Sequence, residues 1–383
     1  MAGEARGAAL RVWDPAVRLF HWALVLAVLV AGWTGLWVGD RAVNLHVTVG
    51  IGAGALVIAR LVWGFRGGRF ARFRGFVVGP VALMQHVRDL TQGHTARHLG
   101  HNPLGGAMIV VLLAALAALV ATGLAVWGGV FRAGPLASYL SVDAGERLLT
   151  LHGWIAYGLF GLVAAHVLGA FGESLRTREN LAGAMVTGRK ERRAFDHAPA
   201  EVTAQPFAAV AIVVAGLGAA SVLGASLAAR PVPGAPVVIA DSAYASQCSD
   251  CHAAYHPSLL PAASWRALMA GLGDHFGEDA SLPAADTEAI TTYLTAHAAE
   301  TTETRAAHVF RTVDPAAPFT ITATPFWKDR HAGLPEALFK SAGVATNANC
   351  AACHGDAATG WFYPGNISVP SEQISPSMKG TTP

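Results

Sequence analysis

The chain has 383 residues, of which 53% are hydrophobic and only 14% are charged, and its formal net charge at pH 7 is +2. Soluble domains have about a quarter of their residues charged, so this composition indicates a membrane protein. The small net charge and the lack of a basic stripe with interleaved aromatic residues argue against nucleic acid as a partner.

Five apolar stretches are long enough to cross the hydrocarbon core of a bilayer, which takes about 20 residues of helix. They are residues 19–38, 43–63, 104–126, 148–171 and 207–228. No small-residue cleavage site follows the first stretch, so we expect it to remain in the membrane. Between the second and third stretches, residues 80–90 carry apolar side chains at helical spacing and predict a short interfacial helix.

The arginines of the short connecting segments predict the orientation of the chain in the membrane. Residues 64–101 and 176–193 are rich in arginine, whereas Arg132 is the only basic residue of the loop 127–145. The N-terminus is therefore expected in the cytoplasm. Five crossings then place the C-terminal part of the chain outside the cytoplasmic membrane.

The fourth apolar stretch, Leu148–Phe171, lacks Asp, Glu, Lys and Arg but contains two histidines, His152 and His166, fourteen positions apart. Fourteen residues are almost four helical turns, so both imidazoles project from one face, about 21 Å apart along the axis. Ionisable side chains within a membrane are costly and often functional. Hydrogen bonding to neighbouring helices would explain one such histidine. Two histidines at opposite depths favour haem ligation, if partners exist at matching depths.

The first two apolar stretches supply those partners, His21 and His46. In the predicted orientation His21 lies on the cytoplasmic side, like His166, and His46 lies near the outer surface, like His152. Each pair can hold one haem iron between facing helices. Two histidine ligands leave no open position on the iron, which suits electron transfer rather than oxygen binding. Three histidines of the polar segment are expected to be solvated: His86, His94 and His98.

All four cysteines lie in two copies of Cys-x-x-Cys-His: Cys248-Ser-Asp-Cys251-His252 and Cys350-Ala-Ala-Cys353-His354. This pentapeptide is the attachment signature of covalent c-type haem, in which the histidine is the proximal ligand. Zinc or a thioredoxin-like redox pair would not require a histidine after the second cysteine in both copies. Because c-type haem is attached outside the cytoplasmic membrane, these motifs predict the same orientation independently.

The distal ligands of the two c haems are sought among five histidines: His256, His275, His297, His308 and His331. His297 ends a helical run and is interpreted as a surface residue. Ligation by Met269 is conceivable, but its spacing from Trp265 and Leu272 is that of a buried helix face.

Residues 15–193 resemble the prokaryotic cytochrome b561 and hydrogenase b-type cytochrome family. The matching segments are Arg18-Leu-Phe-His21-Trp22, His46-Val-Thr-Val-Gly50, His101-Asn-Pro103-Leu-Gly105, His152-Gly153-Trp154, Ala165-His166-Val167 and Thr187-Gly188-Arg189-Lys190. The resemblance implies four core helices and two b haems, held by one histidine on each of the first two helices and two on the fourth. This agrees with the pairing by depth. We expect His101 to lie at a helix entry or haem edge and not to bind iron.

Residues 240–370 resemble the dihaem cytochrome c family. The matching segments are Ser258-Leu-Leu-Pro261, Ser264-Trp-Arg-Ala-Leu-Met269, Asp274-His275-Phe-Gly277, Thr324-Pro-Phe-Trp-Lys-Asp-Arg-His331 and Asn349-Cys350. The resemblance implies that each c haem has two histidine ligands. It makes His275 and His331 the expected distal ligands, without indicating which of them serves which haem.

Together these features predict an all-α membrane protein with three parts. A four-helix haem-binding transmembrane bundle (1–193) is followed by a fifth transmembrane helix and linker (194–235), and then by a small, mainly helical or irregular periplasmic dihaem c domain (236–383). The predicted function, in the bacterial cytoplasmic membrane, is electron transfer from a membrane quinol through two b haems and two c haems to a periplasmic cytochrome. Two alternatives stay open: an electron-relay subunit of a larger membrane oxidoreductase, and a superoxide:quinone oxidoreductase.

Overall fold

The structure of the chain, a computed structural model, describes residues 9–93, 97–193, 196, 202–239, 242–250 and 252–370. Its helices in chain order are α1 (Pro15–Trp33), α2 (Val43–Arg66), α3 (Pro80–Thr91), α4 (Pro103–Gly129), α5 (Val142–Thr177), α6 (Leu181–Thr187), α7 (Pro206–Ala228), α8 (Ser242–Cys248), α9 (Ala262–Ala270), α10 (Ala284–Ala296), α11 (Arg305–Phe310), α12 (Pro325–His331) and α13 (Glu336–Phe339). Two short strands, β1 (Leu10–Arg11) and β2 (Arg189–Lys190), pair antiparallel. The predicted helical class is confirmed.

Among the described residues, four stretches are apolar and long enough to cross a membrane: 15–66, 103–129, 142–177 and 206–228. The first stretch has 52 residues and contains both α1 and α2. These two helices pack against each other, since the guanidinium of Arg60 lies 6.0 Å from the ring centre of Phe20. The helices α4, α5 and α7 coincide with the other three predicted apolar stretches.

Helix α1 begins four residues before the predicted stretch because Asp14-Pro15 is a helix-start signal. The carboxylate of Asp14 accepts a hydrogen bond of 2.8 Å from the amide of Val17. The helix ends at Trp33 and is followed by a π-helical turn, Thr34–Val38. Pro80 is the first residue of α3, as Pro15 is of α1, and the short helix predicted at residues 80–90 is confirmed.

The chain folds as two compact units. The first comprises residues 1–125 and 147–226, and the second comprises residues 126–146 and 227–383. The second unit therefore contains the segment between α4 and α5 as well as the C-terminal part. This division differs from the linear one expected from the sequence, in which residues 126–146 belong to the membrane domain.

Polar and aromatic contacts hold the segment 126–146 within the second unit. The buried guanidinium of Arg132 donates hydrogen bonds to the carbonyls of Leu140 and Pro233, at 2.7 Å for Pro233. The rings of Phe131 and Tyr363 meet edge to face, with centres 5.9 Å apart.

The main apolar core of the second unit lies between α8, α9 and α10. Ile290 and Leu294 are fully buried there and pack with Trp265, Leu272 and Met269. The interpretation of Met269 as a core residue is confirmed.

Candidate haem sites

Two histidines predicted to share an iron near the outer surface of the membrane face each other in the structure. The rings of His46 on α2 and His152 on α5 have centres 6.1 Å apart and planes inclined at 75°. Two imidazoles that share a metal ion through nitrogen bonds of about 2.0–2.1 Å have ring centres about 6 Å apart. The pair therefore has the separation that ligation of one iron requires.

The second predicted pair lies at the other level of the same bundle. His21 on α1 is close enough to His166 on α5 for the two rings to interact electrostatically. The Nδ1 atom of His21 is buried without a hydrogen-bond partner among the described residues.

A buried arginine of α2, Arg60, lies beside Phe20, the residue that precedes His21 in α1. Arg60 is only 4% exposed, and its guanidinium lies 5.1 Å from the ring centre of Phe73 and 6.0 Å from that of Phe76. Its Nη1 atom has no hydrogen-bond partner in the described part of the chain. Because a buried charge without a partner is costly, this position suits an anionic group such as a haem propionate.

The Cys-x-x-Cys-His histidines each face one of the two predicted distal histidines. The rings of His252 and His275 have centres 6.1 Å apart with planes at 25°, and those of His354 and His331 have centres 6.2 Å apart with planes at 60°. Both separations match that of two imidazoles on one metal ion. Among the described residues, Cys248, Cys350 and Cys353 form no disulfide, so their sulfur atoms are available for thioether bonds; Cys251 lies outside the described residues.

Two known protein families match separate parts of the chain. The family pattern described as prokaryotic cytochrome b561 matches residues 12–188, and that described as dihaem cytochrome c matches residues 244–362. A probable Ni/Fe-hydrogenase B-type cytochrome subunit of Rhodobacter capsulatus is 22% identical over 220 residues, covering 48% of this chain and 82% of that protein.

Two solved structures also match. The dihaem cytochrome c from Rhodobacter sphaeroides is 41% identical to this chain. The match covers 32% of this chain and 98% of that protein, with a TM-score of 0.29. The dihaem cytochrome c from Shewanella baltica is 32% identical to this chain. The match covers 34% of this chain and 94% of that protein, with a TM-score of 0.28.

The chain joins a member of the prokaryotic cytochrome b561 family to a dihaem cytochrome c. It is a membrane protein that functions in transmembrane electron transfer. Its cofactors are two b haems and two covalent c haems. The match of the cytochrome b561 domain ends at residue 188, and that of the dihaem domain begins at residue 244.

Hydrogen bonds in the dihaem domain orient two of its four site histidines. The Nδ1 atom of His252 lies 2.9 Å from the carbonyl of Ala253, and that of His331 lies 2.8 Å from the carbonyl of Trp327. Because a carbonyl can only accept, Nδ1 carries the proton in both rings and Nε2 keeps a free lone pair for iron. The indole of Trp327 also stacks on His331, with ring centres 4.3 Å apart.

The structure places each of the two predicted distal histidines opposite one Cys-x-x-Cys-His histidine, a pairing that the sequence motifs leave open. His275 follows His252 by 23 residues, and His331 precedes His354 by 23 residues. The observed pairs are therefore those with the shorter intervening loops, which close at a lower entropic cost than the alternative pairs. Sequence separation was the available signal for this assignment.

The other candidate distal histidines have different surroundings. His256 is 1% exposed, with Nε2 at 2.6 Å from the carbonyl of Val237 and Nδ1 at 2.8 Å from the hydroxyl of Ser258. The ring of His297 packs edge to face on that of Tyr293 at 4.9 Å. The Nε2 atom of His308 lies 3.0 Å from a carboxylate oxygen of Glu303.

Two further histidines of the cytochrome b561 domain, His101 and His86, contact aromatic or imidazole rings. His101 lies 4.5 Å from the ring of Trp13 and 4.8 Å from that of Phe76. Burial, followed by the charge of Arg60, lowers the pKa of His101 to about 3, so the ring is neutral. The expectation that His86 is solvated is wrong, since it is 8% exposed and packs edge to face on His98 at 5.6 Å. His94 lies outside the described residues.

Burial of His256 predicts a pH-dependent stability of the dihaem domain. Burial lowers the pKa of His256, and the hydrogen bond to Val237 opposes that effect. In the unfolded chain the side chain binds a proton below about pH 6.5, so its contribution to stability is complete above that pH and is lost as the pH falls.

We therefore expect the unfolding temperature of the holoprotein to fall between pH 7 and pH 5. His256→Gln should flatten this dependence in scanning calorimetry, and a variant with the wild-type pH slope would contradict the expectation.

Proposed function

We propose that this chain carries electrons from a membrane quinol, through two b haems and then two c haems, to a soluble haem protein outside the cytoplasmic membrane. The observation that carries the proposal is the repeated histidine geometry, with ring centres 6.1, 6.1 and 6.2 Å apart in three pairs. Each haem, when bound, supplies a one-electron iron couple. Two histidines that would hold each iron would leave it no open position, which favours electron transfer over oxygen binding.

In this proposal eight histidines and four cysteines hold the cofactors. The b haem ligands are His21 with His166 and His46 with His152, and the c haem ligands are His252 with His275 and His354 with His331. Thioether bonds come from Cys248 and Cys251 in the first c site and from Cys350 and Cys353 in the second. Within the cytochrome b561 domain, α1 and α2 each carry one of these ligands, and α5 carries two.

The proposed orientation has the N-terminus in the cytoplasm and the dihaem domain outside, after five crossings. The apolar stretch 15–66 would be about 78 Å long as a single helix, more than twice the roughly 30 Å hydrocarbon core, so two crossings account for it. Residues 126–146 share a compact unit with the dihaem domain, as expected if both lie on the same side of the membrane.

The difference in exposure between the two c haem sites supports the His252–His275 site as the one that passes electrons to the acceptor. His252 is exposed, and Phe276, next to His275, is 68% exposed, whereas His354 is half-buried. An accessible site allows close approach of a soluble partner protein. We therefore place the acceptor at the His252–His275 pair.

The test uses the purified full chain in lipid nanodiscs. Pyridine haemochrome spectra should show two b and two c haems per chain. Anaerobic addition of a quinol should reduce the b haems and then the c haems, and a soluble cytochrome c should reoxidise them. Absence of c haem reduction by quinol would overturn the proposed function, and a dihaem domain protected from protease in spheroplasts would overturn the orientation.

The second candidate function is that of an electron-relay subunit in a larger oxidoreductase. It is favoured by the similarity to a probable hydrogenase cytochrome subunit. Purification in mild detergent separates the two candidates: the first predicts quinol-driven electron transfer by the chain alone, and the second predicts co-purification of a catalytic subunit that activity requires.

A further inference from the structure

Two Thr-Gly dipeptides contact the His46–His152 pair in matching ways. The hydroxyl of Thr34 lies 3.0 Å from Nδ1 of His46, and that of Thr122 lies 2.9 Å from Nδ1 of His152. Thr34 opens the π-helical turn after α1 and is fully buried, whereas Thr122 lies within α4. One imidazole is thus supported from each of two different helices.

The hydrogen bonds of these threonines determine where the imidazole protons lie. The hydroxyl of Thr34 donates to the carbonyl of Val30 at 2.8 Å, and that of Thr122 donates to the carbonyl of Ala118 at 2.7 Å. A hydroxyl has one proton to donate, so each threonine oxygen is left to accept from Nδ1–H of its histidine.

A second contact supports the same tautomer of His46. Its Nδ1 atom lies 3.1 Å from the carbonyl of Ala31, which can only accept a hydrogen bond. With Nδ1 protonated in both rings, the Nε2 lone pairs are available to a shared iron.

The glycines beside the threonines leave room for the imidazole edges. A Cβ atom at Gly35 would lie 3.0 Å from Cε1 of His46, and one at Gly123 would lie 3.3 Å from Cε1 of His152. Such contacts are closer than ordinary van der Waals packing, so a larger residue at either position would displace the ring.

The other b haem pair differs. Among the described residues no hydrogen-bond partner reaches the buried Nδ1 atom of His21. The hydrogen bonds with threonine therefore distinguish the His46–His152 pair from the pair that contains His21.

We propose that Thr34-Gly35 and Thr122-Gly123 are positioning elements that hold His46 and His152 with Nε2 toward the iron and lower the midpoint potential of that b haem. The inference rests on the proposed ligation by these histidines. An Nδ1–H that donates to an oxygen makes the imidazole a more basic ligand, and a more basic ligand stabilises ferric iron. Both threonines also restrict ring rotation, which maintains the large angle between the ring planes.

The experiment compares Thr34→Val and Thr122→Val, which keep the side-chain shape but remove the hydroxyl, with Thr34→Ser and Thr122→Ser, which keep the hydroxyl. Thr48→Val is the matched control, since the Thr48 hydroxyl donates to the carbonyl of Asn44 at 2.7 Å in α2. The full chain is titrated spectroelectrochemically, and its ferric haems are examined by electron paramagnetic resonance (EPR).

Each valine variant should raise the midpoint potential of the b haem held by His46 and His152 and leave the potential of the other b haem unchanged. Each should also alter one low-spin EPR signal. Its affinity for that haem should fall by about 10–100-fold, as for other supporting residues of metal ligands. The serine variants and Thr48→Val should match the wild type.

Unchanged potentials and EPR signals in both valine variants would overturn the inference, as would serine variants that behave like valine variants. Failure of the ligand assignment is distinguishable, because His152→Ala would then retain both b haems.

Discussion

Replacing His152 with alanine is expected to remove one of the two b haems and to slow quinol-driven reduction of the c haems by at least about 100-fold. The ring of His152 faces that of His46 across 6.1 Å, so its loss removes one of two proposed axial ligands. Pyridine haemochrome analysis of the purified chain should give one b haem and two c haems. Stopped-flow mixing with quinol measures the rate.

Two further variants on α5 complete this test. His166→Ala should remove the other b haem and leave the c haems in place. Trp154→Ala alters a side chain that is 71% exposed on the same helix, and it should keep both b haems. A His152→Ala protein with two b haems would show that another residue ligates the iron.

His275→Ala and His331→Ala are each expected to convert one c haem from low spin to high spin. The thioether bonds retain both haems, so the c haem content should stay at two per chain. The two variants should lose different EPR signals. Nearly parallel imidazole planes split the iron d orbitals more strongly than steeply inclined planes, and the two pairs have planes at 25° and 60°.

His275→Ala should therefore abolish the more rhombic c haem signal and His331→Ala the more anisotropic one. His297→Ala serves as the control, since the ring of His297 packs on that of Tyr293. If both distal variants lose the same signal, or if His297→Ala produces a high-spin haem, the ligand assignment is wrong.

Much of the membrane half could be predicted because depth in a bilayer follows from position along a helix. His46 and His152 each lie near the N-terminal end of their apolar stretches, 43–63 and 148–171, which places them at the same predicted depth, and the structure brings their rings together. The Asp14-Pro15 start of α1 was also readable from the sequence, although the hydropathy pattern alone placed the helix start later.

The features that could not be predicted depend on contacts between distant parts of the chain. Thr34 and Thr122 are ordinary residues of apolar stretches, and their partners lie 12 and 30 positions away. The burial of His86 is equally non-local, because a polar segment does not reveal which of its side chains will be covered.

The second compact unit is built from two stretches of chain separated by the 80 residues 147–226. In the proposed orientation, translocation delivers residues 126–146 to the outside long before ribosomes finish the C-terminal part. Arg305, which pairs with Glu146 at 2.9 Å, arrives only with that later part. Maturation of the outer unit therefore cannot be completed during synthesis of the membrane helices, and the early segment must remain unassembled until secretion of the chain's end is complete.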